Sequence, residues 1–468
     1  MNTKLLHFLF KPIDASIVAT FRIVFGCFMT YQVFTFIKID FVYQFMTGPE
    51  ILFPYQELSF LKPLSKSILK VLNLGLLFSA VFIAIGFLYR YAMIFFFVVF
   101  TYFTFIDATL YNNHLYLISL IAFVMIFINA DNKYSVKSIL SKNENLNFIP
   151  AWNKYLLIFL ISLPYIFGGI AKLSPNWLNT DLPQIIIDSS RGNILNSLFS
   201  DRFLDLFITY GGIIYDLLIV FILLNKRTRI IGVILVLIFN LTNNFILFND
   251  IGIFPFFMIC STILFFNTSK VSRFLERLFS KKVNTEELDE FEESVEEVKI
   301  EETENPPELK WNVSRRLVSF LLILFMIFHL AMPFRYLLYT DNPEWTGIAS
   351  RYSWRMKMQS KEITDFKVTM TDKLSGDVMD IDIAPFLTTN QAAHIAEDPY
   401  NVIYLAKYLK QKALKKYAKV DPIIHIDLKV KFNGLPTQAM FPPTLELTQI
   451  NEKNYTDDSW MLPLKMNE

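Results

Sequence analysis

The chain has 468 residues, 53% of them hydrophobic, with 48 phenylalanines and a mean hydropathy of +0.38. Charged residues make up only 19%, and 44 Lys and Arg almost cancel 43 Asp and Glu. These values exclude intrinsic disorder and a disulfide-rich secreted module, give no basis for nucleic-acid binding, and point to a polytopic membrane protein. Cys27 and Cys260 both fall in apolar runs, where they are expected to be buried, with neither a disulfide nor a metal role.

In chain order the apolar runs predict helices at 16–38, 67–88, 91–107, 113–130, 153–172, 206–224, 228–248, 252–268 and 315–333. Each is near the ~20 residues that cross a hydrocarbon core. The runs near 91–130 and 252–268 are short, so the expected count is nine with eight as the alternative. No small-residue cleavage site follows the first run, which reads as a retained helix. Lys and Arg concentrate in alternate loops: Lys4 and Lys11, Arg90, Lys133 to Lys142, Lys226 to Arg229, and Lys270 to Lys282. That asymmetry places the N-terminus in the cytoplasm and, after nine spans, the C-terminal part outside. Residues 283–306 are acidic without apolar periodicity and read as a cytoplasmic linker.

The expected fold is therefore a polytopic α-helical membrane domain over 1–333, followed by a soluble α+β domain on the outer side over 334–468. Phe366–Asp372 and Asp377–Ile383 alternate around a turn at 373–376, as in a hairpin. Residues 400–417 put Val402, Leu405, Ala406, Leu409, Ala413 and Leu414 on one helical face, with lysines on the remainder as a solvated surface. Pro422–Phe432 alternates as a strand.

Ionisable groups inside spans are costly, so they are usually paired or functional. Arg22, Arg90 and Asp107 read as structural; Asp216 stands between the two readings. His114 opens the fourth span and Lys172 closes the fifth, so both sit at the outer face. Tyr165 lies seven residues before Lys172, on the same helical side. Gly168 and Gly169 allow close helix approach. A lysine in an apolar site is a candidate general base, and an interfacial anchor is the alternative.

Several pieces, in order, carry a resemblance. They are Asp14-Ala15-Ser16 with Phe21-Arg22, Gly86 to Arg90, Asp107 with Asn112-Asn113-His114, and Tyr134-Ser135-Val136. Tyr165 to Leu173 with Trp177, Gly211-Gly212 with Asp216, and Ile251 to Phe254 follow. Trp345-Thr346, Tyr352-Ser353-Trp354, Ser459-Trp460 and Pro463-Leu464 complete the set. The chain resembles vitamin K-dependent gamma-carboxylase and its bacterial relatives with an HTTM-type membrane domain.

The resemblance implies an enzyme that oxidises a reduced vitamin K or menaquinol-type naphthoquinol with O2 to its epoxide. The base so generated removes a glutamate γ-proton, and CO2 adds to the carbanion. It implies a lyase of the peptidyl-glutamate carboxylase kind, in a bacterial inner membrane, with lipids, quinol and a glutamate-containing protein or peptide as partners and no metal. Lys172 then corresponds to the family's base and His114 to its assistant. Asn112, Asn113, Tyr165, Asp216 and Trp354 are the expected cofactor-side residues. The chain departs from the family at Ala171, Asn240, Ser350 and Gln359, mostly on the glutamate-facing side. Quinol epoxidation without carboxylation, or a non-enzymatic lipid- or quinone-binding scaffold, are the alternative functions.

Overall fold

The structure, a computed structural model, describes residues 3–141, 148–189, 199–248, 251–268, 313–339, 341–416, 422–451 and 459–466, with 197 and 271. The acidic run 283–306 and the basic residues between 272 and 282 lie outside them. The apolar helices are α1 (Ser16–Lys38), α2 (Lys66–Ile85), α3 (Tyr89–Phe105), α4 (Asn113–Met125), α5 (Trp152–Ala171), α6 (Asp201–Leu224), α7 (Arg229–Leu247), α8 (Phe254–Phe265) and α9 (Val313–Leu338). Six of these are long and apolar enough to cross a membrane; α3, α4 and α8 have only 10–17 residues. Every expected run is thus helical among the described residues, but three fall short of a full hydrocarbon crossing. At ~1.5 Å per residue a helix like α4 covers only about 20 Å.

Local chemistry sets these boundaries. α2 stops at Gly86, which takes the left-handed conformation (φ +67°) and donates its N–H to Ile83. The Asp107 carboxylate accepts from the Thr109 N–H at 2.8 Å just after α3, and Asn112 caps α4 by accepting from the His114 N–H at 2.8 Å. α9 continues to Leu338, so the last membrane helix runs a little beyond the expected boundary at 333. α1 and α2 approach closely because Gly26 sits against Ala84; a Cβ there would lie 2.4 Å from the Ala84 nitrogen.

The bundle exposes large apolar side chains such as Val71, Phe221 and Phe320, as lipid-facing helices do. Cys27 and Cys260 are exposed on this surface, not buried as expected. An apolar run marks a residue as membrane-compatible without saying whether it faces lipid or protein.

At the end of the bundle opposite the outer domain, strand β1 (Pro12–Asp14) pairs antiparallel with β2 (Phe148–Pro150). Arg22 is fully buried and donates to the Tyr134 carbonyl at 2.5 Å, while Lys133 pairs with Asp14 at 3.0 Å. The motif pieces at 14–22, 86–90 and 133–136 therefore meet as one structural cluster.

The outer domain holds β3 (Lys361–Asp372), β4 (Val378–Asp380), helix α10 (Pro399–Lys416), β5 (Pro422–Phe432) and β6 (Gln438–Ala439). They form an antiparallel sheet in the order β4-β3-β5-β6, with Thr369 opposite Asp380 and Val368 opposite Ile426. Alternate residues of β5, from Ile424 to Phe432, are buried against α10, as the sequence alternation required. Leu414 is exposed rather than part of the packed face. The α10 lysines are engaged: Lys407 donates to the Ile450 carbonyl, Lys410 pairs with Glu446, and Lys412 pairs with Glu50.

This domain sits on the outer end of the bundle. Arg351 donates to the Ala108 carbonyl at 2.9 Å, and the Tyr352 N–H donates to the Tyr111 hydroxyl at 2.7 Å. Gln391 donates to Ile51 and to Asp107, and Asn433 donates to the Asn176 carbonyl. Polar bonds to loop carbonyls fix the docking, because helix ends leave such groups unsatisfied.

Candidate active site

The site forms where α5 ends. Lys172 is the residue after the last turn, and its ammonium meets the Asp216 carboxylate of α6 at 2.6 Å. The two side chains are 13% and 6% exposed. Gly169 makes this approach possible, since a Cβ there would lie 2.8 Å from Leu217, while one on Gly212 would be in ordinary contact, 3.5 Å from the Lys172 amine. A Cβ on Gly168 would come within 3.5 Å of Asp216 Oδ2 and 3.9 Å of the Trp354 carbonyl. The outer domain thus reaches down to α5 at Gly168, one turn before Lys172, through its own backbone.

Around the pair lies an apolar shell of Ala171, Trp177, Leu182, Ile213 and Met358. The Trp177 ring lies 5.3 Å from the Lys172 ammonium, and its indole N–H donates to the Thr209 carbonyl. Tyr165 packs against Tyr215 with ring centroids 6.0 Å apart and faces Asn240. Tyr165 and Lys172 do share a side, the one turned to Tyr215 and Asp216.

Trp354 is almost fully buried, 5.1 Å from the Tyr116 ring of α4. His114, two residues before Tyr116, stacks on Phe254 at 4.0 Å. Asn112 is occupied as the α4 cap, and Asn113 accepts from the Tyr111 hydroxyl that also receives the Tyr352 N–H. The structure therefore gathers Lys172, Asp216, Tyr165 and the Trp354 backbone at one point. It sets His114, Asn112 and Asn113 at the start of α4, where His114 packs on α8, Asn112 caps its own helix and Asn113 reaches the outer domain through the Tyr111 hydroxyl.

Sequence reasoning left Trp177, Tyr215, Gly212 and Met356 out of the site. Trp177 follows Lys172 by five residues, off the helical repeat, because the chain turns between them. Tyr215 could have been found as the neighbour of an aspartate in an apolar run.

The segment carrying Trp354 is conformationally unusual. Ala349, Tyr352, Trp354 and Lys357 all have positive φ, between 55° and 61°. Non-glycine residues held there cost about 1–3 kcal/mol each and persist only where surrounding contacts impose them. Here those contacts are Arg351 with Asp398 at 2.7 Å and Arg355 with the buried Glu344, which also accepts from Asn176.

Fold and site together define an integral membrane protein with a polar pair buried between its helices and an extramembrane α+β domain. The HTTM domain model matches residues 10–269, and the model of the vitamin K-dependent gamma-carboxylase lumenal domain matches 314–467. The chain belongs to the vitamin K-dependent gamma-carboxylase family. Its C-terminal domain is accordingly the outer, lumenal-type domain, and its function is carboxylase-like. No solved structure matches the chain significantly.

Proposed function

We propose that the chain is a naphthoquinol-dependent glutamyl carboxylase, with Lys172 as the basic group of the quinol site. The observation that carries this is the Lys172–Asp216 pair, enclosed at the outer helix end beneath the Trp354 segment. A planar quinol needs a flat apolar wall, a proton acceptor at its hydroxyl and access from lipid. Trp177, Ile213 and Met358 supply the wall, Lys172 the polar group, and Gly168 and Gly212 leave space beside it. When bound, reduced vitamin K or a menaquinol-type relative would supply, with O2, the strong base that glutamate deprotonation requires.

The chain's own residues would do the rest. Lys172 would hold or move a proton at the quinol hydroxyl. Tyr165 and Asp216 would fix the α5–α6 face. The outer domain would present the glutamate of a protein or peptide from the water side and close the site above it. Exclusion of water matters because a glutamate carbanion is quenched by any stray proton. CO2 would then complete the reaction.

Epoxidation without carboxylation is a second reading. It is favoured by Gln359, a departure from the family on the glutamate-facing side, whose side-chain oxygen is buried with no hydrogen-bond partner among the described residues. The deciding experiment incubates the purified protein with a glutamate peptide, reduced quinone, O2 and bicarbonate. A peptide mass gain of one CO2 is expected. Epoxide without that gain selects the second reading, and neither product rejects both.

A further inference from the structure

We infer that Asp216, not the lysine amine by itself, is the terminal proton acceptor of this site, so that Lys172 and Asp216 act as one unit. The inference rests on the quinol-site reading of Lys172 and adds a role to its partner. The 2.6 Å contact is an ammonium–carboxylate pair, held away from water on both sides. The nitrogen lone pair of an ammonium is already occupied by a proton. The amine can therefore accept from a quinol hydroxyl only after its own proton has moved. Asp216 Oδ2 already receives that proton in a hydrogen bond.

The surroundings leave the pair to itself. From α5 and its following turn, Lys172 faces the Trp177 ring. Besides Lys172, Asp216 interacts with Tyr165 of α5 and Tyr215 of its own helix. The outer segment contributes the Trp354 carbonyl and the Met356 methyl, neither of which carries charge. A lone buried ammonium would be costly, whereas the pair is neutral as a whole and compatible with an apolar shell.

The transfer balances simply. An N–H bond of the Lys172 ammonium breaks as an O–H bond forms at Asp216 Oδ2. The freed lone pair takes the proton of the quinol hydroxyl. The lysine ends as the ammonium it began as, one proton has moved from quinol to Asp216, and no electron has been transferred. The pair gains one positive charge beside the negative charge left on the quinol oxygen, so the site stays neutral.

The test uses the full-length protein in lipid nanodiscs, as wild type, Asp216→Asn and Asp216→Glu. One arm measures the pH at which Lys172 becomes reactive to a trace acylating reagent, read by peptide mass spectrometry without quinol. The other measures epoxide formation against pH. In Asp216→Asn, Lys172 is expected to be acylated at a pH at least one unit lower, since it has lost its counter-charge. The acid limb of epoxidation should move up by one unit or more, because the amine must now accept the proton itself. Asp216→Glu should keep the wild-type limb. A purely structural aspartate predicts the same fall in acylation pH but an epoxidation limb that is unmoved or shifts down with the amine, and that result overturns the proposal. If the wild type forms no epoxide, the quinol reading fails, and the acylation arm still decides whether the two residues are coupled. Should Asp216→Asn not fold, a wild-type limb in Asp216→Glu supports the proposal and a limb displaced upward overturns it.

Discussion

Changing residue 172 disturbs folding as well as chemistry, because Asp216 is buried against it. Removing one partner of a buried ion pair typically costs about 3–5 kcal/mol. Lys172→Ala is therefore expected to lose stability along with activity, more than a lysine at a helix end would suggest from sequence. Lys172→Arg separates the two effects. It keeps the charge beside Asp216, yet a guanidinium does not give up its proton at usable pH. Its melting temperature should stay near that of the wild type while epoxide formation falls about 10²-fold or more. Full activity in that variant would make Lys172 a membrane anchor. Lys361 offers a different residue-level test. Its amine donates to the Ala396 carbonyl at 2.9 Å, and burial lowers its pKa from the ordinary 10.5 to about 8 against the opposing pull of Glu397 and Asp398. Because the folded value lies below the unfolded one, the unfolded chain holds more protons between about pH 8 and 10.5. This group's contribution to stability therefore rises with pH across that window. Lys361→Met should show its largest gain over wild type below about pH 8, narrowing towards pH 10.5 in thermal melts. A pH-independent difference would show that the amine is not desolvated in the fold.

At the scale of elements, one helix end explains several motif pieces at once. Gly86 closes α2 in a left-handed conformation, and a Cβ there would lie 1.6 Å from an Arg22 guanidinium nitrogen and 2.4 Å from the Ser135 Cβ. Arg22 cannot easily retreat, since its other nitrogen is bonded to the Tyr134 carbonyl. Gly86→Ala should therefore sharply reduce folded yield and melting temperature. Gly252→Ala is the control: φ is +54° but no atom of the described residues lies within 4 Å of the added Cβ, so only the backbone preference, about 1–2 kcal/mol, should appear. Equal effects at both sites would refute the packing argument. The helices themselves were legible because apolar runs and their breaks are local signals. The β3–β4 turn and the α10–β5 packing were legible from alternation and helical spacing. Arg22 was legible only as a charge in an apolar run; that its partner is a carbonyl 112 residues away has no local trace. The positive-φ residues of 349–357 leave no sequence mark either, because their conformation is imposed by contacts such as Arg351 with Asp398. Lys172 and Tyr165 were found from spacing, whereas the importance of Asp216 to that lysine required two helices to be packed.

At the scale of the whole molecule, the chemistry proposed here depends on which side of the membrane the bundle's two ends face. Six helices are long enough to cross, and six crossings alone would return the outer domain to the side of the N-terminus. Contacts at the helix ends argue for further passes. Gly86 and Tyr134 lie beside Arg22, whereas Asp107 and Tyr111 lie beside the outer domain, so α3 and α4 run between opposite ends despite their length. Phe266 follows the end of α8, and its carbonyl accepts from Lys154 near the start of α5. We propose nine passes from these connections, and with them the excess of Lys and Arg in alternate loops predicts a cytoplasmic N-terminus. A periplasm-active phosphatase fused after Glu468 should then be active, and the same reporter inserted within 283–306 should be inactive. A fluorescent protein that folds only in the cytoplasm should give the reverse pattern. The reverse result, activity within 283–306 and none after Glu468, would mean that α3, α4 and α8 do not cross, and both fusions reporting one side would mean that α9 does not cross. In the six-pass case Lys172 would follow three passes and the C-terminal domain six, which would part them across the membrane and contradict their packing at one end of the bundle.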